Sequence, residues 1–407
     1  MRRLALLALI APLLVACGSA KSAGSKQLLV VVNAPFSSTP YLGRTIENGA
    51  RLGAAQVNGG GGLKIGGVHY TVKVETMDTG LSPARAVANV RRAVADGAVA
   101  IVDEGTGVDA SWRVAAKSGV PICVVFEGGD DLVNPTTRPN VFRIAPTDHG
   151  IAFRLAEYLV PKHLKVALIH DDSDYGAAGE RELERAFGYD PHSVAIDETV
   201  PANALDLRAQ ILRARLAHAT ALLVWGRPAT IASAITAARS AGWNVPVYTP
   251  PAGADPFVRQ QLADHPSWLN GLTFASGRLT AEVGAAPYLS FVGRYNGAYG
   301  VDRVGVKTAA GAEVTEPPET AMYTYDFMNL LGAALVKAGS TDPAKVTAAL
   351  QQVTIEGANG DERGFNRSSH EGVIDDDVYF ARFHDMTYAP VKDDPLSATL
   401  PTLPQTQ

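Results

Sequence analysis

Cysteine is almost absent from this chain: 407 residues carry two, Cys17 and Cys123. A disulfide framework is therefore excluded, and Cys123, set in the apolar run Val120 to Phe126, is expected as a buried, inert thiol. There is no block of like charge. Lys and Arg total 36 against 41 Asp and Glu, a net charge of −5, so nothing offers a nucleic-acid backbone an electrostatic footprint. Past the first seventeen residues no apolar stretch reaches the roughly 20 residues that span a bilayer. Catalytic signatures are missing too. Nine histidines form no His-Glu-x-x-His helix and no Cys/His cluster, which argues against a zinc site. Ser368-Ser369-His370 lacks a nucleophile elbow, and Gly59 to Gly62 is not followed by the Lys-Ser/Thr of a phosphate loop. Asp375-Asp376-Asp377 lacks the regular spacing of a calcium loop and reads as a solvated turn. Together these absences point away from an enzyme, and neither cofactor nor metal is expected.

What is present begins at the N-terminus. Arg2 and Arg3 precede an apolar run from Leu4 to Val15, too short to span a bilayer, and small residues follow. That is the pattern of a secretory signal peptide. Its ending, Leu14-Val15-Ala16-Cys17, resembles the bacterial lipobox, which implies removal of residues 1–16 and acylation of Cys17; two acyl chains give a stable tether. Residues 17–26, rich in Ser, Gly and Lys, read as a flexible spacer. The expected location is extracytoplasmic, anchored to a membrane by lipid.

From Gln27 onward, apolar runs alternate with helical patterns. Strands are expected at Leu28 to Val32, Tyr70 to Met77, Ala98 to Asp103 and Val120 to Phe126. Helices are expected at Thr45 to Val57, from Pro83 behind the cap Ser82, and at Val108 to Ser118. The rhythm resumes with strands at Val141 to Ile144, Lys165 to His170, Ser193 to Ile196, Ala221 to Trp225 and Val245 to Tyr248, separated by helices. Helices at Glu282 to Tyr299, Ala321 to Lys337 and Pro343 to Gln351 and a strand at Val378 to Phe383 complete the count. This is βαβ construction with parallel sheets, and its length suits two lobes with a cleft between them. Residues 391–407, rich in Pro and Thr, are expected to form a flexible tail.

Several stretches carry a family likeness by their order and spacing: Ala34-Pro35-Phe36, Asn48-Gly49-Ala50, Pro83 to Ala98, Gly119-Val120-Pro121, Asn140 to Pro146, Asp171 to Gly176 and Tyr323 to Asp342. In these the chain resembles the leucine/isoleucine/valine-binding family of type I periplasmic binding proteins, the solute receptors of ABC importers. The resemblance implies an α/β fold of two doubly wound, Rossmann-like lobes with three hinge crossings, near Ile144 to Thr147, Phe274 to Leu279 and Thr354 to Arg363. It implies a first lobe of residues 27–144 with about 278–355, and a second of 145–277 with about 356–390. A monomer is expected, which closes on a small-molecule ligand and meets an ABC permease; a sensor subunit serving a membrane receptor and an exported hydrolase are the alternatives.

Mapped onto this chain, the resemblance places ligand contacts at Thr106 and Gly107, at Glu127 and Gly128, and at Thr249, with Tyr41, Tyr175 and Trp225 covering the ligand. The alternative for each aromatic is a packing role. Gly105-x-Gly107-x-x-Ala110, with Glu127 beyond it, also imitates a dinucleotide fingerprint, but both patterns use the same backbone N–H cradle for an anion. Asp103, Glu104, Asp109, Glu127, Asp130 and Asp131 surround that loop. Such like charge disfavours a carboxylate ligand, so an amide, polyol, cationic or aromatic small molecule is expected at least as readily as a branched-chain amino acid.

Overall fold

The computed structural model describes residues 26–188, 190–276, 286–373 and 378–399. Cys17 and Asp375 to Asp377 lie outside them. Strand β1 (Lys26–Ala34) is buried on both faces from Val30 onward, as a central parallel strand flanked by helices must be. Helix α1 (Pro40–Asn58) opens on Pro40, whose fixed φ suits a first turn, so it starts before the expected Thr45. Next come β2 (Leu63–Ile65), β3 (Val68–Asp78) and α2 (Pro83–Ala95), where Ser82 caps the helix by accepting from the Arg85 N–H. Strand β4 (Ala98–Asp103), helix α3 (Val108–Ala116), β5 (Ile122–Val124) and β6 (Val141–Arg143) close the first sheet. Its order is β2-β3-β1-β4-β5-β6, parallel except for β2.

The second lobe runs α4 (Asp148–Leu159), β7 (Val166–Asp171), α5 (Asp174–Phe187), β8 (Val194–Val200), α6 (Arg208–Leu216), β9 (Ala221–Trp225), α7 (Pro228–Ser240), β10 (Val247–Thr249), α8 (Pro256–Gln261) and β11 (Thr273–Ser276). Helix α9 (Ala286–Tyr299), strands β12 (Asp302–Lys307) and β13 (Glu313–Glu316), helices α10 (Glu319–Ala338) and α11 (Pro343–Leu350), and strands β14 (Thr354–Glu356), β15 (Glu362–Gly364), β16 (Tyr379–His384) and β17 (Thr387–Pro390) follow. The second sheet reads β17-β16-β11-β10-β9-β7-β8, with β16 and β17 antiparallel at one edge. Each sheet is doubly wound: the chain leaves β1 for β3 and returns past it to β4, and leaves β7 for β8 and returns to β9. Reversals of this kind open a crevice at the carboxyl ends of the strands.

Three expectations about the lobes are corrected. The third crossing does not lie at Thr354 to Arg363. Those residues form the β14–β15 hairpin beside α10, and Ala358, Phe365 and Val373 are buried in the first core, so the chain re-enters the second lobe only at Val378. The β12–β13 hairpin leaves the first lobe instead of belonging to it, with Val304, Val306 and Val314 packed into the second core. Residues 391–399 are not a loose tail. Val391 is fully buried, Asp394 accepts two hydrogen bonds from Arg154 at 3.0 Å, and Ser397 Oγ accepts from the Phe380 N–H at 2.8 Å. Two polar anchors and one apolar one overrule the Pro/Thr composition. Part of the second crossing, at Phe274 to Leu279, and the first residues of the Glu282 to Tyr299 helix lie outside the described residues.

Helices α1 and α10 pack backbone to backbone. A Cβ on Gly49 would stand 2.3 Å from the Ala321 carbonyl oxygen, and one on Gly53 would stand 2.4 Å from Met328 Cβ. Cys123 is fully buried, and burial pushes its thiol well above the usual range. No helix among the described residues is long and apolar enough to cross a membrane.

Candidate ligand-binding cleft

The strand ends of both lobes meet at a cleft of about 780 Å³, counting its solvent-open mouth. Its first-lobe wall is acidic. Strand β4 ends on Asp103, whose carboxylate accepts from Asn33 Nδ2 at 2.7 Å and from the Gly105 N–H at 2.8 Å. The loop N–H expected to receive a ligand anion is thus already engaged by the chain itself. Gly105 sits at φ +129°, where a Cβ would come within 2.3 Å of Glu127 Cβ, so only glycine lets the Glu127 side chain pass. The Glu127 N–H donates to the Glu104 carbonyl at 2.8 Å and locks the two loops together.

Threonines, not cations, hold the two glutamates. Thr106 Oγ1 donates to Glu127 at 3.2 Å and Thr79 Oγ1 to Glu104 at 3.3 Å. Burial, then the neighbouring Glu104 and Asp148, push Glu127 well above the usual carboxylate range. Glu104 is raised by burial. Asp103, buried beside Glu104, is pushed up to about 8, and burial lifts Asp148 to about 7.

The second-lobe wall is built on Asp171, at the end of β7. It accepts from the Ser173 N–H at 3.2 Å, the Arg227 N–H at 2.7 Å and Thr230 Oγ1 at 3.0 Å, and also from Ser173 Oγ. Ser173 in turn caps α5 by accepting from the Gly176 N–H, which fixes Tyr175 at the cleft. The Tyr175 ring lies 6.1 Å from Phe126 of the first lobe and 6.1 Å from Trp225 behind it, centroid to centroid. Arg227, two residues after β9, lines the cleft with its Nε buried and lacking a hydrogen-bond partner.

The back of the cleft comes from the end of β13. Tyr41 hydroxyl donates to the Pro317 carbonyl at 3.4 Å. Glu316 pairs with the buried Arg259 and accepts from the Tyr388 hydroxyl at 2.7 Å; burial, offset by Arg259, leaves it at about 7. Asp255 also lines the cleft. It caps α8 through the Phe257 N–H at 2.8 Å, and burial raises it to about 6.

Of the residues expected to touch a ligand, Tyr41, Glu127 and Tyr175 line this cleft. The others are placed elsewhere. Trp225 is fully buried in the second core against Gly179, supporting Tyr175 from behind. Thr249 is fully buried with its hydroxyl unpartnered against Gly253. Thr106 faces an outer hollow and spends its hydroxyl on Glu127. Gly107, at φ +77°, starts α3 beside a second hollow. Gly128 packs on the Asp148 backbone, its carbonyl accepting from the Asp148 N–H at 2.8 Å. Arg227, Glu316 and Phe126 were not singled out. Arg227 had a signal, since it is the second residue past a strand end and precedes a helix-opening proline.

Two doubly wound lobes with a buried, polar and aromatic cleft at their strand ends define a two-lobed solute-binding protein. A family profile described as periplasmic binding protein matches residues 30–387, and the chain belongs to that family. No curated protein matches the sequence. Solved structures share the fold. A type 1 periplasmic binding protein from Bordetella pertussis Tohama I is 22% identical, with a TM-score of 0.77 over 88% of this chain and 97% of that one. The branched-chain amino acid transporter substrate-binding protein LivJ of Streptococcus pneumoniae, in complex with isoleucine, is 19% identical, with a TM-score of 0.74 over 89% and 98%. An ABC transporter solute-binding protein of R. palustris, in complex with benzoate, is 17% identical, with a TM-score of 0.72 over 90% and 95%.

Proposed function

We propose that this protein is the extracytoplasmic receptor of an ABC importer of the branched-chain amino acid type, tethered by a lipid on Cys17 after loss of its signal peptide. It works as a monomer, captures a small polar solute between its lobes and presents the closed form to a membrane permease, without altering the solute. The observation that carries the reading is the cleft itself: Tyr41, Glu104 and Glu127 from one lobe face Tyr175 and Arg227 from the other across a single cavity. A solute bridging both walls binds the closed form better than the open one, and that differential affinity is what shifts the equilibrium.

The family, whose neighbours were solved with isoleucine and with benzoate, supports solute binding without naming the solute. The test is native mass spectrometry of gently purified protein for a co-purified small molecule, followed by small-angle scattering with that molecule. A smaller radius of gyration with the solute, and its recovery unchanged after incubation, is the expected outcome. No compaction with any retained molecule, or its conversion to a product, overturns the reading. Radiolabelled palmitate incorporated in the wild type and lost in Cys17→Ala checks the anchor.

A further inference from the structure

Three other buried carboxylates in this protein have a cation of their own, and a fourth, Asp171, has four donors instead. Asp394 holds Arg154 at 3.0 Å, Asp326 holds Arg363 at 3.4 Å, and Glu316 holds Arg259. Glu104 and Glu127 do not follow that pattern. They are 1% and 8% exposed, line the cleft, and receive only threonine donors, hydroxyls at both and the Thr106 N–H at Glu104, while Arg227 acts on both through space. Two adjacent carboxylates under these conditions repel each other, and burial disfavours ionising both without a cation in contact. Asp148 adds a third acceptor. It is 1% exposed, has a carboxylate oxygen without a hydrogen-bond partner, and lines the compartment that continues from the cleft past Phe126 and Tyr175. The opposite wall has the opposite need, for Arg227 Nε is a buried donor without an acceptor.

We infer that the solute carries a cationic nitrogen, an ammonium or guanidinium, received by Glu104 and Glu127 of the first lobe, with a hydrogen-bond-accepting group turned to Arg227 of the second. The inference rests on the solute-capture reading above. Charge-assisted bonds to both carboxylates let the pair ionise together, and each such bond is about twice as strong as a neutral one. Tyr41, Phe126 and Tyr175 border the same space and supply the aromatic faces over which a desolvated cation is held. A nitrogen-free carboxylate would have to enter beside Glu104, Glu127 and Glu316 with Arg227 as its one partner on the facing wall.

Isothermal titration of the full mature chain with agmatine, 4-aminobutyrate, isoleucine and benzoate tests this. At least one nitrogen compound is expected to bind, and benzoate is expected not to. The best binder should lose about 10- to 100-fold in affinity in Glu127→Gln and in Glu104→Gln, while the melting temperature of each ligand-free variant holds or rises. Arg227→Gln should weaken 4-aminobutyrate or isoleucine and leave agmatine, which has no carboxylate, unchanged. Benzoate binding more tightly than every nitrogen compound, no nitrogen compound binding, or unaltered affinity in Glu127→Gln overturns the inference. Scattering separates the two failures. Compaction with benzoate alone, or with a co-purified solute that has no cationic nitrogen, keeps solute capture and removes only the charge assignment, whereas no compaction with any retained molecule removes both.

Discussion

Each wall of the cleft is anchored by an aspartate at the end of a strand, and the two are treated differently. Asp171 in the second lobe is surrounded by donors: two from Ser173, one from the Arg227 backbone and one from Thr230. Asp103 in the first has Asn33 and the Gly105 N–H, and then Glu104 as its neighbour. The second lobe uses its carboxylate to knit a loop. The first lobe gathers carboxyls whose charged forms burial disfavours. One wall is a finished scaffold, the other is incomplete until something arrives.

The sharpest way to break that contrast is Asp171→Asn. All four partners donate, so an amide must turn its own N–H₂ toward another donor in a buried site, a loss of roughly 4 kcal/mol. A chemical denaturation midpoint close to wild type would show that the Asp171 cluster is not the scaffold described.

Tyr175→Ala comes next. Tyr175 is 7% exposed and packed between Phe126 and Trp225, so truncation leaves a cavity and removes about 3 kcal/mol of stability as well as weakening ligand binding. Tyr175→Phe keeps the packing and should stay within about 1 kcal/mol of wild type. If Tyr175→Ala weakened binding alone and left the melting temperature unmoved, the tyrosine would belong to the ligand and not to the wall.

The sequence made much of this legible and missed the rest for physical reasons. Alternating apolar strands and capped helices announce themselves locally, and Ser82 caps where expected, while the caps Thr147 and Ser173 emerged only with the structure. The acidic crowd around Gly105 was visible as composition. Trp225 was misplaced because β9 is buried along its whole length; a fully buried strand carries no alternation to show which face looks inward, and the residue that reaches the cleft is two positions on, Arg227. The β12–β13 hairpin, with Gly305 and Gly311 at positive φ and charged residues throughout, looks like loop. Its contribution of Glu316 depends on Arg259, 57 residues away in sequence, and no local pattern encodes that pairing.

The third test uses pH. Asp103, Asp148 and Glu316 are raised to about 8, 7 and 7 in the folded protein, against roughly 4 in an unfolded chain. Between those values the folded state holds protons that the unfolded state has released, so stability falls as pH rises. The ligand-free protein should be more stable at pH 5 than at pH 8, by several kcal/mol. A flat profile, or one that rises, would mean that the first wall is not under charge strain.

The smallest effect discriminates best. Asp103→Asn removes the carboxyl with the highest of those values and leaves a neutral side chain, which is the state burial already favours near neutral pH. The amide oxygen can still accept from one of Asn33 Nδ2 and the Gly105 N–H, so one hydrogen bond is lost while repulsion toward Glu104 disappears. The two changes oppose each other, and the net loss at pH 7 should stay below about 1 kcal/mol. The upper end of the pH profile, near pH 8, should flatten, because the group that titrates there is gone. At Asp171 the same one-atom substitution meets four donors. If the two asparagine variants were equally destabilised, donor count and not charge crowding would govern both walls, and the first wall would lose its claim to be the one awaiting a cation.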